Sequence, residues 1–157
     1  MKMLCAHVKN LRIEAGVGGK TNTKRRAEQR KLRERLGDSL PLLDESNRLI
    51  TSENALLAFV CVEKSDEKIN LWIVKNDIVK AMAMLRVAEI VMGAFGHLSE
   101  IPADPATAKR IVDDLIELVK MEYSDTKTFP FGWDKSLEIN VPLHHYNFAF
   151  KSYPPSP

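Results

Sequence analysis

The order of apolar and polar positions divides this chain into recognisable segments. Residues 3–9 alternate weakly and predict a short strand. Residues 10–22 hold Gly16, Gly18 and Gly19, a density that predicts a flexible loop. Residues 23–36 are rich in Arg, Lys, Glu, Gln, Ala and Leu, all good helix formers, and Gly37 suits the C-terminal cap. The apolar face of that helix is thin, comprising Ala27, Leu32 and Leu36. A short core-packed helix is expected near residues 41–50, with Pro41 at its start and Asp44 and Glu45 in its first turn.

Further on, residues 55–63 and 69–74 are apolar runs around the polar turn Ser65-Asp66-Glu67-Lys68, which predicts a hairpin. Residues 76–95 are apolar on nearly every side and read as a buried helix capped by Asn76. Residues 104–123 form the best-delimited helix. Asp104 is its N-cap, Pro105 takes the first helical position, and Ile111, Leu115, Leu118 and Val119 make one stripe. Leu137, Ile139 and Val141 alternate, then Tyr146, Phe148 and Phe150, which predicts two short strands separated by Pro142. The end, Lys151 to Pro157, reads as extended or disordered.

Together these segments predict an α+β fold: a mostly antiparallel sheet, two core helices on one face and a basic N-terminal helical arm. The expected division is a basic arm over 1–36, an α+β core over 37–151 and a Pro-rich tail over 152–157. A chain of 157 residues with 45% hydrophobic content is long enough to bury a sizeable core.

Charge alters this picture more than composition does. The net charge is only +2, yet Lys20, Lys24, Arg25, Arg26, Arg30, Lys31, Arg33 and Arg35 face just Glu28 and Glu34 within one short segment. Residues 37–157 carry the opposite bias, with 12 basic against 18 acidic side chains. A basic head on an acidic body points to an anionic partner. Phosphates offer a regular line of charge that arginine forks bind bidentately. The eight basic residues are therefore the candidate nucleic-acid contacts. RNA is favoured over DNA, because no DNA-reading module is present and Arg-rich segments order on RNA. An anionic membrane surface is a lesser alternative partner. So is a protein, or a second copy of the chain, with basic head meeting acidic body in a scaffold, matrix-like protein or inhibitor.

Other constellations point to no chemistry. Gly16-Val17-Gly18-Gly19-Lys20-Thr21 falls short of a phosphate-binding loop, since Glu14 stands where its first glycine belongs. His7, His97, His144 and His145 show no metal-ligand spacing, and a strand sends the adjacent pair to opposite faces. Asp113, Asp114 and Glu117 have Lys109, Arg110 and Lys120 beside them as partners. Phe129, Phe131 and Trp133 are read as a core lid rather than a base-stacking platform. Cys5 and Cys61 read as buried thiols in a reducing compartment. No metal or cofactor is expected. The reading is thus a non-enzymatic RNA-binding protein, intracellular in the cytoplasm or nucleus, with no catalytic residues.

Overall fold

A long first strand, β1 (Lys2–Gly16), organises the sheet. The computed structural model describes residues 1–16 and 23–154. Along one edge β1 pairs antiparallel with β2 (Leu49–Cys61), from Lys2 opposite Cys61 to Glu14 opposite Leu49. Its other edge is shared. β5 (Asp134–Asn140) takes Asn10–Gly16, and β6 (Phe148–Ser152) takes Lys2–Ala6, both antiparallel. On the far side β2 pairs in parallel with β3 (Glu89–Ala94), which pairs in parallel with β4 (Lys127–Thr128). The fold is α+β around this mixed six-stranded sheet, in the order β4-β3-β2-β1-β5 with β6 beside β1. β1 extends through residues 10–16, where a loop is expected from the glycines. The rest of that loop, residues 17–22, lies outside the described residues.

The helices are α1 (Thr23–Leu36), α2 (Glu45–Arg48), α3 (Leu71–Leu85) and α4 (Pro105–Lys120). Parallel strands need a crossover, and α3 and α4 supply one each. α4 starts where expected: the Asp104 carboxylate accepts from the amides of Ala106 and Thr107 at 3.0 and 3.3 Å. The Thr107 side chain, followed by these amides, holds the Asp104 carboxyl below its ordinary range.

The hairpin expected over 55–74 does not form. Its first arm is β2, but Leu71-Trp72-Ile73-Val74 begins α3, capped by Asn70 rather than Asn76. An apolar run of this length fits either period. Val74, Ile78 and Met82 decide it, because they recur every four residues on one wholly buried face. The helix expected over 76–95 therefore ends at Leu85, and Arg86 closes it in the left-handed region at φ 55°. Ile90, Val91 and Met92 then form β3, which is apolar on both faces as a central parallel strand must be. The helix expected at 41–50 shrinks to the single turn of α2, because Leu49 onward is drawn into β2.

Two cores result. α3 and α4 cover one sheet face, packing Ile78, Met82, Leu115 and Val119 against Met3, Leu56 and Met92. The other face gathers Val8, Ile13, Leu57, Phe59, Val91 and Phe129. Gly93 permits that second core. A β-carbon there would stand 2.6 Å from the Phe129 ring. Both cysteines are buried and free, and burial pushes the Cys5 thiol up to about 12. Tyr153 is not part of a loose tail. It is buried, donates from its backbone N–H to the Met1 carbonyl at 2.7 Å and from its hydroxyl to Asp77 Oδ2 at 3.1 Å. Among the described residues, no helix is long and apolar enough to cross a membrane.

Candidate active site

The segment between β4 and β5, Phe129-Pro130-Phe131-Gly132-Trp133, builds the most distinctive surface of the molecule. Gly132 turns the chain at φ 76°, a conformation that costs side-chain-bearing residues free energy. A β-carbon there would also lie 2.7 Å from Leu40 and 2.8 Å from Leu32. The glycine thus lets the end of α1 and the following turn close over this segment. Trp133 is held twice from that side. Its indole N–H donates to the Pro41 carbonyl at 2.9 Å, and the Arg33 guanidinium sits 4.2 Å from its ring centroid.

Beside this junction, beyond the carboxyl end of β3, lies a cavity of about 690 Å³. Ligand sites favour such a position at the ends of parallel strands. Phe59, Phe95 and Trp133 give it apolar walls, and Gln29 and Leu32 of α1 form part of its rim. Its polar groups are Glu28, His97, Asp134 and Lys135. His97 is exposed on the short turn Gly96–Leu98 that follows β3, with the Phe95 ring 5.2 Å away and edge-on.

Lys135 is the unusual group. It is the second residue of β5, opposite Ala15, and its Nζ donates to the Trp133 carbonyl at 2.7 Å. The amine lies 5.4 Å from the Phe129 ring centroid. Burial lowers its pKa from 10.5 to about 8, and the Asp134 carboxylate only partly opposes this. An ammonium in a walled cavity, charged at neutral pH and titrating just above it, is suited to stabilising negative charge on a reacting oxygen.

Of the predicted phosphate contacts, Lys20 lies outside the described residues. The other seven are on α1, and six of their side chains, all but that of Arg25, are described and exposed. The structure separates them. Arg26, Arg30 and Arg33 line one groove with Gln29, whereas Lys24, Lys31 and Arg35 point elsewhere. Other residues follow the bland expectation. Lys109 pairs with Asp113 at 2.5 Å, Arg110 with Asp114 at 3.8 Å and Lys120 with Glu117 at 2.9 Å. His7 and His144, by contrast, are brought together and hydrogen-bond each other at 2.7 Å. Phe129 and Trp133 are buried as a lid, and Phe131 is half-buried. Lys135 was not singled out by sequence reasoning, and His97 was weighed only as a metal ligand. The available signal was a lysine two residues after the aromatic, glycine-containing run 129–133.

Comparison with known proteins decides the family. The archaea-specific editing domain of threonyl-tRNA synthetase matches residues 1–152. The chain belongs to this family. The family is tRNA-related, so the coarse expectation of a link to RNA stands. An editing domain removes the amino acid from mischarged tRNA, which is a hydrolysis. Family membership therefore overturns the expectation of a non-enzymatic chain.

Among similar proteins, the threonine–tRNA ligase of Thermofilum pendens is 29% identical over 146 residues, covering 92% of this chain and 21% of that protein. The threonine–tRNA ligase of Methanobrevibacter smithii is 30% identical over 105 residues, covering 65% of this chain and 17% of the relative. That of Methanococcus maripaludis is 35% identical over 95 residues, covering 59% and 15%. The chain thus spans about a fifth or less of the length of these relatives. A solved structure of the c-Myc DNA Unwinding Element Binding Protein superposes with a TM-score of 0.65 at 13% identity, covering 98% of this chain and 99% of that one. At that identity the likeness concerns the fold.

Proposed function

We propose that this chain hydrolyses the aminoacyl ester of mischarged threonine tRNA, with the acylated 3′ end in the cavity beside Lys135. The observation that carries this reading is the half-buried Lys135 amine, lowered to about 8, in the cavity of an editing-domain chain. The basic helix on the rim supplies the charge that draws in RNA.

The amino acid to be removed follows from elementary recognition. A synthetase built for threonine excludes larger side chains sterically and hydrogen-bonds the hydroxyl. Serine keeps that hydroxyl and lacks one methyl, a difference worth only about 1–3 kcal/mol in a pocket. Serine is therefore the error that binding alone corrects least well.

In the proposed reaction a water oxygen bonds to the ester carbonyl carbon, the bond to the ribose oxygen breaks, and the ribose oxygen leaves with a proton. The products are free serine and uncharged tRNA. The Lys135 ammonium stabilises the carbonyl oxygen as it becomes negative. His97 takes the proton from the attacking water and returns one to the ribose oxygen. Phe59, Phe95 and Trp133 exclude bulk water from the walls.

The direct test is hydrolysis of seryl- and threonyl-charged threonine tRNA by the purified chain. Seryl ester should be cleared far faster than threonyl ester. Loss of both at the uncatalysed rate would sink the proposal. His97→Ala should lower kcat about 100-fold with little change in KM, the mark of a group acting in the reaction rather than in binding.

A further inference from the structure

We propose that one face of α1, carrying Arg26, Gln29, Arg30 and Arg33, is a phosphate track that carries the single-stranded end of the RNA into the cavity. This rests on the proposed deacylation and adds the binding site that the reaction requires.

Helical geometry separates the basic residues of α1 into two sets. At about 100° per residue, Arg26, Gln29, Arg30 and Arg33 fall within roughly 100° of one another. Lys24, Lys31 and Arg35 cluster on the opposite side. The structure shows the first set lining a common groove. Gln29 lines both this groove and the large cavity, so the two adjoin at that residue.

The groove also has a direction. Arg33 lies toward its C-terminal end, stacked on Trp133, which forms a cavity wall and whose carbonyl holds the Lys135 amine. Arg26 lies toward the N-terminal end of the helix. Four residues advance about 6 Å along the axis, so Arg26 and Arg30 are spaced on the scale of successive phosphates of an extended strand. A stacked guanidinium still offers its edge N–H groups, so Arg33 can bind a phosphate while it remains on the indole.

Charge on this face is open to a ligand. Arg30 has a single carboxylate neighbour, Glu34 at 3.7 Å, and both side chains are well exposed. Among the described residues, no ion pair engages Arg26 or Arg33. On the opposite face Arg35 already feels the carboxylate of Asp104. A duplex would contact a surface several phosphates wide. This groove is one helix face wide and ends at a cavity, which suits a single strand whose last nucleotide carries the ester.

The test uses two charge-matched double variants of the full chain, Arg26→Gln/Arg30→Gln on the track and Lys24→Gln/Lys31→Gln opposite it. The probe is uncharged hairpin RNA with a four-nucleotide 3′ overhang, beside the same hairpin with a blunt end. Affinity is measured across a salt series. Each phosphate contact to a single strand contributes about 0.7 to the slope of log K against log salt. The track variant should therefore lose about 1.4 of slope and at least tenfold in overhang affinity at low salt. The opposite variant should keep the parent slope. Equal losses in the two variants would overturn the track and leave only diffuse attraction. Tighter binding of the blunt hairpin would overturn the single-strand assignment. Deacylation separates this from the proposed function. A parent that shows the slope pattern but clears no ester keeps the track and loses the reaction. A parent that clears ester, with a track variant of unchanged slope and rate, does the reverse.

Discussion

Lys135→Met is expected to lower kcat/KM for deacylation about 1,000-fold and at the same time to stabilise the fold. Both effects come from the same burial. The amine sits against Phe129 and the Trp133 carbonyl, where its pKa falls from 10.5 to about 8. At pH 7 it is still mostly charged, so the folded protein carries an ammonium that would be better solvated in the unfolded chain. The sign follows from linkage. Because the folded pKa is the lower one, the penalty is fully present below about 8 and fades as pH rises toward 10.5. Allowing for the partial exposure of the side chain, it is on the order of 2 kcal/mol. Urea denaturation at pH 7 should show Lys135→Met more stable by that amount, with the gap closing by pH 10. Deacylation by the parent, corrected for spontaneous ester hydrolysis, should decline above pH 8 as the ammonium is lost. Stabilising ammonium is worth the size of effect seen for other donors aimed at a developing oxyanion. A Met variant that is active, or one less stable than the parent at pH 7, would remove Lys135 from the mechanism.

What could be read in the sequence was whatever depended on neighbouring residues alone. α4 was legible because Asp104-Pro105 writes its start and Ile111, Leu115 and Val119 its buried stripe. α1 was legible from propensity, and β5 and β6 from alternation near 137–150. The stretch 69–95 was not. A helix buried on one side by Val74, Ile78 and Met82 and a strand buried on both sides by Ile90, Val91 and Met92 look alike as runs of apolar residues. Only the crossover from β2 to a parallel neighbour distinguishes them, and that is a tertiary fact. The candidate site was illegible for a related reason. Lys135 acquires its character from Phe129, Trp133 and the cavity wall, and none of that is visible in a lone lysine after an aromatic run. The basic block attracted attention because it is contiguous. Its division into a groove-lining face and an opposite face needed the position of the 129–133 segment as well as the helix itself.

Gly132→Val should both destabilise the protein and release α1. Two costs act together. A β-branched residue at φ 76° is strained by about 1–3 kcal/mol, and its side chain would meet Leu32 and Leu40, for which overpacking adds about 1–3 kcal/mol. The leucines can avoid the clash only by withdrawing, which removes the apolar contact that seats α1. Arg33 would then lose Trp133, and the Pro41 carbonyl would lose the indole N–H. Equilibrium unfolding in urea should register a loss of about 3 kcal/mol or more. Hydrogen exchange should show amides of 24–36 protected in the parent and exchanging freely in the variant, while those of α4 stay protected. If the basic helix reaches RNA only when seated beside the cavity, overhang affinity and deacylation should fall together in Gly132→Val although no charge has been removed. An α1 that remains protected in the variant would mean that Leu36 and the neighbouring α4 hold the helix without the Gly132 turn. The turn would then shape the cavity without controlling the helix.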